Sequence, residues 1–199
     1  MRLFIQTDRV DTFFVYLGLG IDHLLSWDAG DHLFFLLALL APYTLRDWKQ
    51  ILSQVTGFTA GHCLTLVLST YALVAFPAVW VERCIPVTIV LAAIGVVLQV
   101  KRAIPNTAGF SFSVALLFGC IHGLGFAGTL RSMLGKEADV LLPLAGFNLG
   151  LELAQLGVVS LILLFRYALE RFLGKELPFT LASALVAGAG GLVLLLDRL

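Results

Sequence analysis

The sequence predicts an all-α fold, a polytopic membrane helical bundle of about seven segments forming a single integral membrane domain over residues 1–199. Three observations predict it. Of the 199 residues, 59% are hydrophobic and only 13% charged, and the mean hydropathy is +0.97. The apolar residues gather into seven stretches, with Lys and Arg kept to the connections and segment edges. Nineteen glycines supply small surfaces through which membrane helices approach closely.

The stretches follow in order. The first, Thr12 to Trp27, and the second, Gly30 to Thr44, fall short of the ~20 apolar residues needed to cross a core about 30 Å thick. They read as short tilted helices, or as partly re-entrant elements shielded by their neighbours. The third, Ile51 to Phe76, carries His62 near its middle. The fourth, Ile85 to Val100, opens on Ile85-Pro86-Val87-Thr88. The fifth, Gly109 to Leu134, holds His122 and the close-packing pattern Gly119-x-x-x-Gly123. The sixth, Val140 to Leu169, puts Asn148 and Glu152 four residues apart on one helical face, with Gln155 three further on. The seventh is Leu177 to Leu196. Trp27, Trp48 and Trp80 fall at segment boundaries, where indole rings anchor helices at the membrane–water interface.

Charge placement predicts a direction. If all seven segments cross, Arg2, Arg9, Arg46, Lys49, Lys101, Arg102, Arg166, Arg171 and Lys175 share one side, against Arg83, Arg131, Lys136 and Arg198 on the other. Nine against four puts the N-terminus in the cytoplasm and the C-terminus outside. A re-entrant first segment moves the N-terminus outside and leaves the rest unchanged. Met1 to Asp11 reads as no removable signal peptide, so the first apolar segment is expected to stay. Thirteen basic and thirteen acidic residues cancel, and without a basic tract no nucleic-acid partner is expected. Cys63, Cys84 and Cys120 lack CxxC spacing and do not form a disulfide framework. There is no Walker A string to bind a nucleotide.

The four histidines are where chemistry is expected. They occur as Asp22-His23, Asp31-His32, His62-Cys63 and His122-Gly123, inside or at the mouths of apolar stretches. Ionisable groups at membrane depth are costly and face a bundle interior or an aqueous cavity, where they mark function. His23 and His32 are placed near the outer mouth. His62, His122 and Glu152 are expected to converge deeper, because an unpaired carboxylate in the core needs a proton or a cationic partner. Imidazole and carboxylate suit divalent transition metals such as nickel, cobalt or zinc. The candidate metal ligands are therefore His32, His62, His122, Glu152, Asp31, His23 and Asp22. Asn148, Gln155, Cys63 and Asp28 are candidate supporting groups, although Cys63 points about 100° away from His62 on a helix and suits a small buried apolar role.

Five strings carry a resemblance. They are Gly20-Ile21-Asp22-His23-Leu24-Leu25, Gly30-Asp31-His32-Leu33-Phe34-Phe35-Leu36-Leu37, Phe58-Thr59-Ala60-Gly61-His62-Cys63-Leu64-Thr65-Leu66, His122-Gly123-Leu124-Gly125-Phe126-Ala127 and Phe147-Asn148-Leu149-Gly150-Leu151-Glu152-Leu153-Ala154-Gln155. In this order the chain resembles the HupE/UreJ family of bacterial membrane proteins from about Tyr16 to Val159. Cys63 stands where the family has Ser, and Ala154 where it has Gly before Gln155. Members are associated with hydrogenase or urease loci and are regarded as nickel or cobalt permeases. The resemblance implies an inner-membrane protein in which Asp31, His32, His62, His122 and Glu152 match the family's polar positions.

Two classes of function follow. In one, a divalent metal enters through the Asp/His mouth and passes to the deeper histidines, as in a permease. In the other, an intramembrane metal-dependent hydrolase uses the same histidines as ligands, with Glu152 or Asp31 as general base. Lipid and a metal ion are the expected partners, and any homo-oligomer or second subunit would pack helix to helix.

Overall fold

The computed structural model describes residues 9–26, 29–101, 108–135, 140–173 and 179–199. They form seven helices: α1 (Arg9–Leu25), α2 (Gly30–Leu40), α3 (Trp48–Thr70), α4 (Ala78–Val100), α5 (Ala108–Leu134), α6 (Leu141–Leu173) and α7 (Phe179–Asp197). No strand occurs among the described residues. Each of the seven apolar stretches has become a helix. The five from α3 to α7 are long and apolar enough to cross a membrane, and α2 is apolar but short. Large apolar side chains such as Leu161, Phe165, Leu185 and Val193 cover the outer faces. An apolar girdle of that kind is stable against lipid and not against water. The chain is an integral membrane protein.

Helix ends follow local chemistry. Ahead of α3, a 3-10 turn over Leu45–Asp47 is capped reciprocally: the Asp47 carboxylate accepts from the Thr44 backbone N–H at 2.9 Å and from its hydroxyl at 2.8 Å, and Thr44 Oγ1 accepts from the Arg46 N–H at 3.4 Å. Pro77 precedes α4, where a missing N–H costs nothing. Gly135 ends α5 at φ +57°, a left-handed conformation that favours glycine, and its N–H closes on the Arg131 carbonyl at 3.2 Å.

Glycines set the packing order. Gly57, Gly61, Gly119 and Gly123 join α3 to α5 so tightly that a Cβ at Gly61 would collide with the backbone of Leu116, and one at Gly119 with that of Phe58. These two helices run parallel. Gly20, Gly146 and Gly150 join α1 to α6 in the same way, with Gly146 against Phe13 and Gly150 against Leu17, so α1 and α6 also run parallel. α7 lies antiparallel to α4, with Gly188 against Ala93 and Gly191 against Ile89.

The short first two helices share one crossing. α1 starts beside the start of α6 and, with Gly20 against Phe147 and Leu151, ends alongside the first half of that helix. α2 then continues in the same direction. Phe34 lies against Gly190, and the carbonyls of Ala41 and Tyr43, just past the end of α2, accept from Arg166 Nη1 at 2.9 and 2.8 Å near the far end of α6. Arg9 and Arg198 therefore lie toward the same end of the bundle. This differs from the topology in which all seven segments cross and the termini lie on opposite sides; a re-entrant first segment would also put both ends on one side, but here α1 and α2 make one crossing together. The physical reason is length: α1 has 17 residues and α2 has 11, and only end to end do they match one of the long helices.

Candidate functional site

The break between α1 and α2 is where the polar side chains meet. His23 closes the last turn of α1, Asp31 and His32 open α2, His62 comes from α3 and His122 from α5. Close α3–α5 contact at Gly123, whose absent side chain leaves room for the His62 backbone, brings the last two to neighbouring depth. The His23 and His32 rings lie 4.9 Å apart, His23 and His62 6.0 Å, His32 and His62 6.3 Å, and His32 and His122 5.1 Å. One ring nitrogen from each of His23, His32 and His62 can be chosen so that all three lie within 4.8 Å of one another.

The protons on two of these rings follow from their partners. His32 Nδ1 is 2.9 Å from Asp31 Oδ1, and a carboxylate can only accept, so Nδ1 carries the proton and Nε2 keeps its lone pair. The same oxygen accepts the His32 backbone N–H at 2.8 Å, and Asp31 Oδ2 pairs with Arg198 Nη2 at 3.2 Å. His122 Nε2 is 3.1 Å from Thr88 Oγ1, whose own proton goes to the Ile85 carbonyl at 2.7 Å. Thr88 is then the acceptor, His122 Nε2 the donor, and His122 Nδ1 the bare nitrogen.

Those bare nitrogens are buried without protein partners. His23 Nε2, His32 Nε2, His122 Nδ1 and both nitrogens of His62 make no hydrogen bond within the described residues. Asn148 is a polar neighbour of His62, but no bond of good geometry joins them; its Nδ2 donates to the Leu144 carbonyl at 2.8 Å and its Oδ1 is likewise unpartnered. Each buried unsatisfied group costs about 1–3 kcal/mol. Several pointing at one place is the pattern of a ligand site rather than of packing. In a tetrahedral metal shell with ~2.0–2.1 Å bonds, nitrogens stand about 3.3 Å apart, so small ring rotations suffice to close the trio on one ion.

A cavity of about 180 Å³ leads to the cluster from the end where α3 and α5 finish and α4 and α6 begin. His23, Asp31, His32, His122, Glu82 and Arg198 line it.

The expected ligands do not all arrive. Glu152 sits apart from the trio: its Oε1 accepts from Thr56 Oγ1 at 2.8 Å, and it does not line the cavity. Gln155, three residues further on, accepts from Thr59 Oγ1 at 2.8 Å. Both serve α3–α6 cohesion, because the helix face shared with Asn148 extends toward the far end of the bundle. Asp22 is solvent- or lipid-exposed, and Cys63 is half-buried outside the cluster. Asp28 lies outside the described residues. His23, placed at the mouth by its sequence position, belongs to the trio itself, whereas His122 stands beside it.

Three residues escaped sequence reasoning. Thr88 orients His122; Arg198 holds Asp31; and Pro86 has no N–H to give the Glu82 carbonyl four residues earlier, which Arg198 Nη1 takes at 3.0 Å. Only Pro86 left a readable signal, since a proline within an apolar span frees a carbonyl that some donor must satisfy. Comparison with curated proteins and with solved structures returns no match for this chain. The family model described as HupE / UreJ protein matches residues 1–196, and the chain belongs to that family.

Proposed function

We propose that the chain is a permease for a divalent transition metal of the nickel, cobalt or zinc type, which binds His23, His32 and His62 on its way through the bundle. One observation carries this reading: histidines from three helices each bring a ring nitrogen within 4.8 Å of the other two, and each of these rings keeps a buried nitrogen without a partner among the described residues. Neutral imidazole is the ligand form these metals prefer. His122 is the next imidazole along, 5.1 Å from His32.

The hydrolase reading finds less support. Of its two expected general bases, Asp31 already accepts on both oxygens, from His32 and from Arg198, and Glu152 stands against Thr56 and does not line the cavity. On the positive-inside rule, the end carrying Arg46, Lys49, Lys101, Arg166 and Arg171 faces the cytoplasm and the cavity opens outward.

The test is uptake of nickel, cobalt and zinc by vesicles holding the purified protein, with metal content of the detergent-solubilised protein measured alongside. The reading predicts saturable uptake that is lost in His32→Ala and His62→Ala. A stoichiometric metal that survives dialysis, with no flux, would overturn it in favour of a resident centre.

A further inference from the structure

Below the histidines, on the opposite side of the bundle, lies a second cavity of about 230 Å³. It is bounded by the end of α2, the start of α3, the last turns of α4 and the first turns of α5, and Phe118 forms part of its wall. Most of its lining is apolar, yet three polar side chains meet there: Gln54, Gln99 and Ser111. Gln54 and Ser111 are 4% and 7% exposed. Gln54 Nε2, Gln99 Oε1 and Ser111 Oγ have no protein hydrogen-bond partner within the described residues. A donor, an acceptor and a hydroxyl that is both, around a space that fits several waters at about 30 Å³ each, describe a wet cavity rather than a greasy one.

Between this cavity and the histidines stands an aromatic layer. Phe35 and Phe58 are fully buried, stacked at 4.8 Å and 30°. Phe118 meets Phe35 edge-on at 5.8 Å from the cavity side. From the other side His122 contacts both, at 5.3 Å from Phe35 and 5.1 Å from Phe58. The order along the bundle is thus the four histidines, the phenylalanine stack, then the amide and hydroxyl cavity.

We propose that the Gln54/Gln99/Ser111 cavity is a water-filled vestibule that receives a hydrated divalent cation, and that the Phe35–Phe58 stack is the closed gate separating it from the histidines. The proposal rests on the permease reading. The chemistry fits a one-way handover: imidazole holds a transition metal, whereas neutral amide and hydroxyl oxygens compete poorly with water for it. An ion that passes the stack is therefore rehydrated and released. Two aromatic rings with no polar atom cannot coordinate an ion, so passage requires them to swing apart.

The test uses the full chain in vesicles, with Cys63, Cys84 and Cys120 replaced by Ala and single cysteines introduced at Gln99, Ser111 and, as a lipid-facing control, Leu117. A membrane-impermeant cationic methanethiosulfonate is applied from each side. Gln99→Cys and Ser111→Cys should react at least tenfold faster than Leu117→Cys, and from the α3-start end only. Equal rates at all three positions would overturn the vestibule. Nickel flux is then measured in Phe58→Ala and, in case that variant does not fold, in Phe58→Leu, which keeps apolar bulk without the stack. Passive nickel leak should rise severalfold in either. Wild-type flux in a folded variant would overturn the gate. Fast labelling of Ser111→Cys, together with no nickel flux through the wild-type protein, would instead overturn the permease reading, and the gate with it, while leaving the wet cavity standing.

Discussion

Arg198 Nη1 donates at 3.0 Å to the carbonyl of Glu82, the helical acceptor that Pro86 leaves unclaimed, and the same guanidinium reaches Asp31 with Nη2 at 3.2 Å. One side chain at the end of α7 therefore repairs a defect in α4 and fixes the carboxylate that orients His32. Arg83 completes the arrangement by donating to the Arg198 and Leu199 carbonyls at 2.9 and 3.1 Å. This link makes the ligand geometry dependent on the docking of the last helix.

Replacing Arg198 by Met should consequently weaken metal binding without touching a ligand. Asp31 would lose its cationic partner and His32 part of its orientation. Loss of such supporting groups typically costs 10–100-fold in metal affinity, and a fall of about that size is expected for zinc or nickel, read by competition with a chromophoric chelator. Arg198→Lys should recover only part, because an ammonium cannot serve Glu82 and Asp31 with a planar fork. Unchanged affinity in the Met variant would show that Asp31 holds His32 unaided.

The pH dependence has a definite sign. Each of His23, His32 and His62 binds metal only as the neutral ring, so protons and metal compete for the same nitrogens. Occupancy should therefore fall as the pH is lowered, with protons taken up as metal is released. Isothermal titration in buffers of differing ionisation enthalpy reads that proton count. Metal affinity that rises on acidification would show that the ligands are not these histidines.

Much of this was legible in the residues themselves. Seven apolar stretches became seven helices because hydropathy acts over many residues at once, and the histidines were conspicuous because a polar ring inside such a stretch needs a reason. The faces were not legible. Glu152 looked like a ligand since it shares a helix face with Asn148, but the face is long. Its Glu152 end meets Thr56, while its Asn148 end lies beside His62. The shared crossing of α1 and α2 was hidden too, because a stretch too short to cross alone does not say whether it tilts, turns back or joins the next. Arg198 could not be read at all, since its role arises when the end of α7 lands on the start of α2.

Glu152 offers a sharp discrimination between the two placements. Glu152→Gln keeps an oxygen to accept from Thr56 Oγ1 and removes only the charge. It should change metal affinity by less than about tenfold, below the usual effect of a supporting group. His23→Ala should remove one of three ligands and abolish measurable binding, although sequence position alone puts His23 at the mouth. If the two variants trade places, with Glu152→Gln abolishing binding and His23→Ala sparing it, the trio is not the metal site.

The glycine contacts predict where the fold itself is fragile. A methyl at Gly61 meets the backbone of Leu116 and Cys120, and neither helix can yield without dragging a whole turn. The same holds at Gly119 against Phe58 and at Gly20 against Phe147. Overpacking of a rigid contact costs about 1–3 kcal/mol and more when backbone is struck, so Gly61→Ala and Gly119→Ala should lower thermal stability in detergent sharply or abolish the monodisperse species. Gly95 and Gly128 lie within helices and have nothing within 4 Å of an added Cβ. Alanine there should be neutral or stabilising by up to about 1 kcal/mol, because it lowers the backbone entropy lost in a helix. The two outcomes together separate tight helix packing from a general intolerance of added bulk. Equal damage at Gly61 and Gly95 would mean that the parallel α3–α5 contact does not hold the histidines in place.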